Sequence, residues 1–213
     1  MSITSMFFSK SVLDFIYMFG SNIVKKGFGF VREIILASVF GSSLFYANFL
    51  FLKTVSDLFS ELSQGSALQA SLLSKFSKLY TANDHVSLVQ TFKFSQKIMF
   101  SLFILSQLIQ IPIVFYMDSD YFWTLIVLSL LLGVILSVNF YNAIFLVVMQ
   151  GKGQFKRHSI STTIDIFIST LVLYPFSLLL GVVGIAVSRL SGLLTLFYGF
   201  LFPMFYENKG KRV

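Results

Sequence analysis

Cysteine is absent from the 213 residues, so the chain can build neither a disulfide framework nor a thiolate metal site. Histidine is nearly absent too. The two that occur, His85 and His158, stand apart in polar stretches and read as loop residues. With no His pair at metal-ligand spacing, no phosphate-binding glycine loop and no Ser-His-Asp set, the chain offers no constellation for an enzyme, a metal or a cofactor. Charge is the third scarcity: 12% of residues are charged, against about 25% in a soluble domain. In their place are 56% hydrophobic residues and 27 Phe, which define an all-α integral membrane protein. The 16 Lys and Arg are too dispersed to form a basic face for nucleic acid. No small-residue cleavage site closes the first apolar stretch after Lys10, so that stretch is expected to stay in the mature protein.

A membrane-spanning helix needs about 20 mostly apolar residues. Four such runs cover about 98 to 117, 121 to 149, 160 to 180 and 182 to 205. A fifth, 44 to 64, is apolar with a charged stripe, and a sixth, 11 to 40, is so long that it must tilt, bend or protrude. Gly20, Gly27 and Gly29 offer places to bend it, and Pro175 is expected to bend the fifth helix. The expectation is six transmembrane helices over residues 1–205, followed by a basic tail at 206–213.

Orientation follows from Lys and Arg. Lys10, Lys75 and Lys78, then Lys152, Lys156 and Arg157, and finally Lys209, Lys211 and Arg212 fall in alternate connections, whereas "GSS", "MDSDY" and "LGVVG" contain no basic residue. Both termini are therefore expected in the cytoplasm. An even number of spans requires the same.

Against this background, "SNIVKKGFGFVREIILASVFG" places Lys25, Lys26, Arg32 and Glu33 within the first helix, where each charge costs about 2.5 to 3.5 kcal/mol on insertion scales. Lys25, Gly29 and Arg32 share one helical face. The second helix answers with Lys53, Asp57 and Glu61 at i, i+4 and i+8, continued by Gln64. Depth counting along two antiparallel helices sets Asp57 and Glu61 beside Lys26 and Lys25. Three readings fit: a cytoplasmic loop at "KKGFGFVRE", interhelical salt bridges that fix packing, or a polar cavity. Asp165 in the fifth helix and Arg189 in the sixth are two further polar residues within apolar runs. Arg189 is the deeper and the better cavity candidate, Asp165 lies close enough to the inner surface for an interfacial role, and Thr162 and its Ser/Thr neighbours read as helix-start caps.

"GFGFVREIILASVFGSS" followed by "QGSALQASLLSKFSKLY" resembles the opening of the lipid II flippase family once called mouse virulence factor proteins. The later "GKGQFKRHSISTTIDIFISTLVLYPFSLLLGVVGIAVSRLSG" resembles the fifth and sixth helices of the wider MOP superfamily of MATE, polysaccharide and lipid-oligosaccharide flippases, with Gly181, Gly184 and Ala186 on its small-residue pattern. The resemblance implies a six-helix bundle equivalent to the N-terminal lobe of such a transporter. It places Lys26 at the family's first cavity Arg, and Arg32 and Glu33 at its second Arg and the following acid. Phe59, Ser60 and Gln64 stand where the family has an Arg pair and Glu, so a related lipid-linked sugar is expected rather than lipid II itself.

The implied function is flipping of a lipid-linked, pyrophosphate-bearing oligosaccharide or peptidoglycan precursor across the bacterial cytoplasmic (inner) membrane. Lys26, Arg32, Lys53 and Arg189 would hold the head group, while Glu33, Asp57 and Glu61 would balance charge or bind a coupling cation. The lipid tail would stay among membrane lipid. Flippases of this kind resemble two six-helix lobes, so a second lobe or chain is the expected partner, and "ENKGKRV" looks like the start of an inter-lobe linker. Two other readings remain open: a cation-coupled MATE-like exporter, which the excess of Lys and Arg in the first two helices disfavours, and a truncated fragment or membrane scaffold that transports nothing.

Overall fold

The structure, a computed structural model, describes residues 10–41, 43–64, 74, 75, 78, 85–117 and 120–201, and the tail at 206–213 lies outside them. Among the described residues the chain is helical and contains no strand. The helices are α1 (Lys10–Phe40), α2 (Leu44–Gln64), α3 (His85–Tyr116), α4 (Phe122–Gly151), α5 (Phe155–Leu171), α6 (Leu173–Leu180) and α7 (Val182–Leu196), with a final π-helical turn at Phe197–Leu201. Among the described residues four stretches are long and apolar enough to cross a membrane: Gln96–Tyr116, Phe122–Gly151, Phe155–Leu180 and Val182–Phe200. The chain is a multi-pass membrane protein. Helices α1 and α2 have the length to span, with 31 and 21 residues, and differ from the other four in their charges.

The sequence accounts for most of the boundaries. Gly41, at a φ of +52°, ends α1, and the Ser43 hydroxyl caps α2 by accepting from the Tyr46 amide at 3.2 Å. Gly153, at +68°, ends α4, where Gln154 donates to the Met149 carbonyl and Gly153 to that of Gln150, the paired bonds of a Schellman motif. Pro175 has no amide proton for the Leu171 carbonyl, and the span over 155–180 is accordingly broken at Val172 into α5 and α6. Residues 25 to 33 lie inside one uninterrupted α1, which removes the reading of "KKGFGFVRE" as a loop. His158 is likewise helical, in the first turns of α5, and not in a loop; its Nε2 lies 3.1 Å from Gln150 Nε2.

Two apolar clusters sit at opposite ends of the bundle. One gathers Leu36, Phe49, Val114, Leu125, Val182 and their neighbours beside the connections that lack Lys and Arg; there Phe40 stacks on Tyr46 and Phe45 on Tyr121. The other, built on Phe140, Ile144, Phe145, Val148 and Leu196, lies toward the basic "QGKGQFKRH" connection and takes nothing from α1 or α2. Polar side chains join the helices between them. Gln107 and Ser129 exchange hydrogen bonds of 3.0 and 3.2 Å across α3 and α4, and Asn142 donates to the Leu193 carbonyl across α4 and α7 at 3.1 Å. Glycine permits the closest approach: a Cβ at Gly184 of α7 would run into the Phe176 backbone of α6.

Helix α1 lies along α5, and α2 lies along α4. The two charged helices meet at their connecting turn and then part. This corrects the expectation of two facing charged stripes. Depth counting fixes the height of a residue along a helix, but the neighbour is chosen by the packing of α5 and α4 between them.

Candidate functional site

The space between the parted helices is a cavity of about 340 Å³. Arg32 and Glu33 of α1 line it, with Phe49, Lys53, Ser56, Asp57 and Ser60 of α2, Leu132, Ile135, Leu136 and Asn139 of α4, and Ile185, Ala186 and Arg189 of α7. Of these, Phe49, Leu132, Ile185 and Ala186 also belong to the first apolar cluster, so the cavity is closed toward the connections that lack basic residues. The second cluster takes no described residue of α1 or α2.

Three cations come from three different helices at one height. Arg32 precedes the end of α1 by eight residues, Lys53 follows the start of α2 by nine and Arg189 follows the start of α7 by seven, which at 1.5 Å per residue puts all three about 11 to 14 Å from the same end. If these helices cross a hydrocarbon core of about 30 Å, that height is close to its mid-plane. Charged residues there are stable when they face a protein interior or a wet cavity and find counter-charges.

The counter-charges are unevenly shared. Lys53 Nζ donates to Asp57 Oδ2 at 2.7 Å on its own helix, and both residues are substantially exposed. Arg189 Nη1 donates to both carboxylate oxygens of Asp165 on α5, at 3.2 and 3.1 Å, in a pair whose acid is buried. Arg32 makes no ion pair or hydrogen bond through its side chain with any described residue. Its sequence neighbour Glu33 also lines the cavity, and Glu33 and Asp165 lie within electrostatic reach of the guanidinium without pairing with it directly.

Of the residues singled out from the sequence, Arg32, Lys53, Arg189, Glu33 and Asp57 come together here. Lys26 and Glu61 do not. Both are exposed and neither lines the cavity, so the structure does not bring them together with the other residues expected to bind substrate or balance charge. The expected pairs of Asp57 with Lys26 and of Glu61 with Lys25 are replaced as well. Asp57 is held by Lys53, and Lys25 Nζ donates to Thr162 Oγ1 of α5 at 3.2 Å. Thr162 thus serves the α1–α5 seam and not a helix cap. Asp165 is buried between helices rather than interfacial. Ser56 and Asn139 were missed by sequence reasoning; Ser56 lies one residue before Asp57 on the charged helix, while Asn139 carried no signal beyond being polar in an apolar run.

A wet cavity makes a specific prediction. A cysteine at Asp57 should react with a small water-soluble thiol reagent, while one at Phe30, which is 69% exposed on α1 and does not line the cavity, should stay protected by lipid. Equal protection at both positions in correctly inserted protein would mean that the cavity is dry.

This is a multi-pass helical membrane protein with a cationic cavity between its helices. No protein-family model, curated protein or solved structure matches the chain.

Proposed function

We propose that the chain is a six-span lobe of a MOP-type flippase in the bacterial cytoplasmic membrane, moving a lipid-linked, diphosphate-bearing oligosaccharide or peptidoglycan precursor to the outer face. The observation that carries this reading is the convergence of Arg32, Lys53 and Arg189 at one depth, with the Arg32 side chain making no hydrogen bond or ion pair with any described residue. Three cations against the two lining acids, Glu33 and Asp57, suit an anionic ligand. A guanidinium can grip a phosphate through two parallel hydrogen bonds, whereas the ammonium of Lys53 contributes a point charge. The sugar would occupy the polar space beside Ser56 and Asn139, and the polyprenyl tail would leave between α1 and α2 into lipid. Asp57 and Glu33 balance the empty site or hold a coupling cation. A second lobe or chain supplies the opposite wall, and rocking of one wall against the other changes the side to which the head group is exposed.

In this reading α1 and α2 also cross the bilayer, both termini are cytoplasmic, and the cavity opens inward. Cysteine at Ser43 should be labelled by an impermeant reagent added outside intact cells, and cysteine at Gly153 should not. External labelling at Gly153 would reverse the orientation. Transport itself is tested by flipping of a lipid-linked diphosphate in cells or vesicles that hold whatever completes the lobe, with Arg32→Ala as the diagnostic variant. Transport at the unaltered rate by that variant would remove the flippase reading.

A further inference from the structure

Asp165 does not line the cavity, yet it is tied to one of the cavity's cations. It sits behind Arg189 on α5 with its side chain 8% exposed, while Arg189 reaches the cavity with 27% exposure. The carboxylate can lie there because α7 carries glycine three residues beyond Arg189. A Cβ at Gly192 would stand 2.6 Å from Asp165 Oδ1 and 2.5 Å from its carbonyl oxygen, so a larger residue would drive the acid out of the seam. On its other side stands α1. Lys25 is held on Thr162, one helical turn before Asp165 on the same helix, and both Lys25 and Arg32 lie within electrostatic reach of the carboxylate. A second cation is therefore poised beside an acid that is already paired.

We propose that Asp165 is a displaceable internal anion: it holds Arg189 while the cavity is empty and passes to Lys25 when a ligand diphosphate takes Arg189. This inference deepens the reading of the cavity as a diphosphate site and rests on it. The contact to Asp165 uses one guanidinium nitrogen, Nη1, and the fork geometry that grips phosphate needs two. The Nε–Nη2 edge stays open to one phosphoryl group, and the Nη1–Nη2 edge is released only when Arg189 turns from the acid. A ligand with one phosphoryl group satisfies Arg32 and gains little by competing for Arg189. A diphosphate can engage both guanidiniums, which stand at nearly the same depth. Asp165 is then a positioning residue that sets selectivity for diphosphate over monophosphate. Its transfer to Lys25 strengthens the grip of α5 on α1 only when the cavity is loaded.

The test is equilibrium binding of farnesyl diphosphate and farnesyl monophosphate to the full chain in lipid nanodiscs. Asp165→Asn should bind both ligands more tightly and the monophosphate most, so that the preference for diphosphate falls about tenfold, the equivalent of about 1.4 kcal/mol. Lys25→Met, at a position that does not line the cavity, should weaken diphosphate binding several-fold, and this effect should vanish in the Asp165→Asn background. Unchanged or weaker binding by Asp165→Asn, or a Lys25→Met effect of equal size in both backgrounds, would overturn the proposal. Should Asp165→Asn fail to insert, Lys25→Met still decides: diphosphate binding equal to that of the unaltered protein rejects the hand-over. If the unaltered protein shows no saturable diphosphate binding, the diphosphate reading itself fails. If that binding is present and lost in Arg32→Ala while Asp165→Asn changes nothing, only the displaceable anion fails.

Discussion

Arg32→Ala is expected to lower diphosphate binding by about a hundredfold, because two charge-assisted hydrogen bonds at about 1.5 kcal/mol each are lost together. Flipping should fall below detection in cells that hold the complete transporter. The size of the effect follows from the geometry. Lys53 and Arg189 already make ion pairs with internal acids, whereas the Arg32 side chain makes no ion pair or hydrogen bond with any described residue, so a ligand can engage it without breaking one. Arg32→Lys keeps the charge and loses the fork, and should retain only part of the affinity, about a tenth. Lys26→Ala serves as the control. It removes a neighbouring charge of the same helix from an exposed position outside the cavity and should leave binding within about twofold, since surface charges contribute about 0 to 1 kcal/mol. Equal losses in Lys26→Ala and Arg32→Ala would show that the helix acts through its overall charge, and would end the argument for a specific phosphate contact.

That contrast also marks what could be read from the sequence. Helix positions were legible because apolar runs are local properties, and Pro175 acts on the backbone near its own position; the glycines were not, since α1 runs unbroken through Gly20, Gly27 and Gly29 while Gly41 and Gly153 end helices. The height of each charge was legible too, since rise per residue is constant. Azimuth and partner were not. Lys25 and Lys26 point about 100° apart, and nothing within "KKGFGF" says which of them meets α5 and which faces outward. The choice is made by Thr162, 137 residues away in the chain. Asp57 was assigned a partner across the gap, although Lys53 stood one turn away on its own helix, and the local pair prevailed because α1 and α2 diverge. The Asp165–Arg189 pair had one readable trace. Gly192 follows Arg189 by one turn, and a glycine on the charged face of a membrane helix marks a close approach of something to that face.

The same pair predicts an asymmetry in stability. Arg189→Met should destabilise the protein by about 3 kcal/mol, at the lower end of what removing one partner from a buried ion pair costs, because it leaves a carboxylate stranded between α5 and α7. The lower end applies because Lys25 and Arg32 remain within reach of Asp165. The reverse change is milder. Asp165→Asn leaves Arg189, at 27% exposure, facing a wet cavity, and the amide oxygen still accepts a hydrogen bond, so the loss should stay below about 1 kcal/mol. Thermal unfolding in one detergent would show the difference, with the midpoint of Arg189→Met well below that of Asp165→Asn. Adding Lys25→Met to Arg189→Met removes one of the two cations that remain within reach of the acid and should cost more than the two single changes combined, whereas adding it to Asp165→Asn should cost no more than Lys25→Met alone. If both single variants of the pair lost the same stability, Arg189 would be as dry as its partner, and the cavity it lines could not be a path for a charged head group.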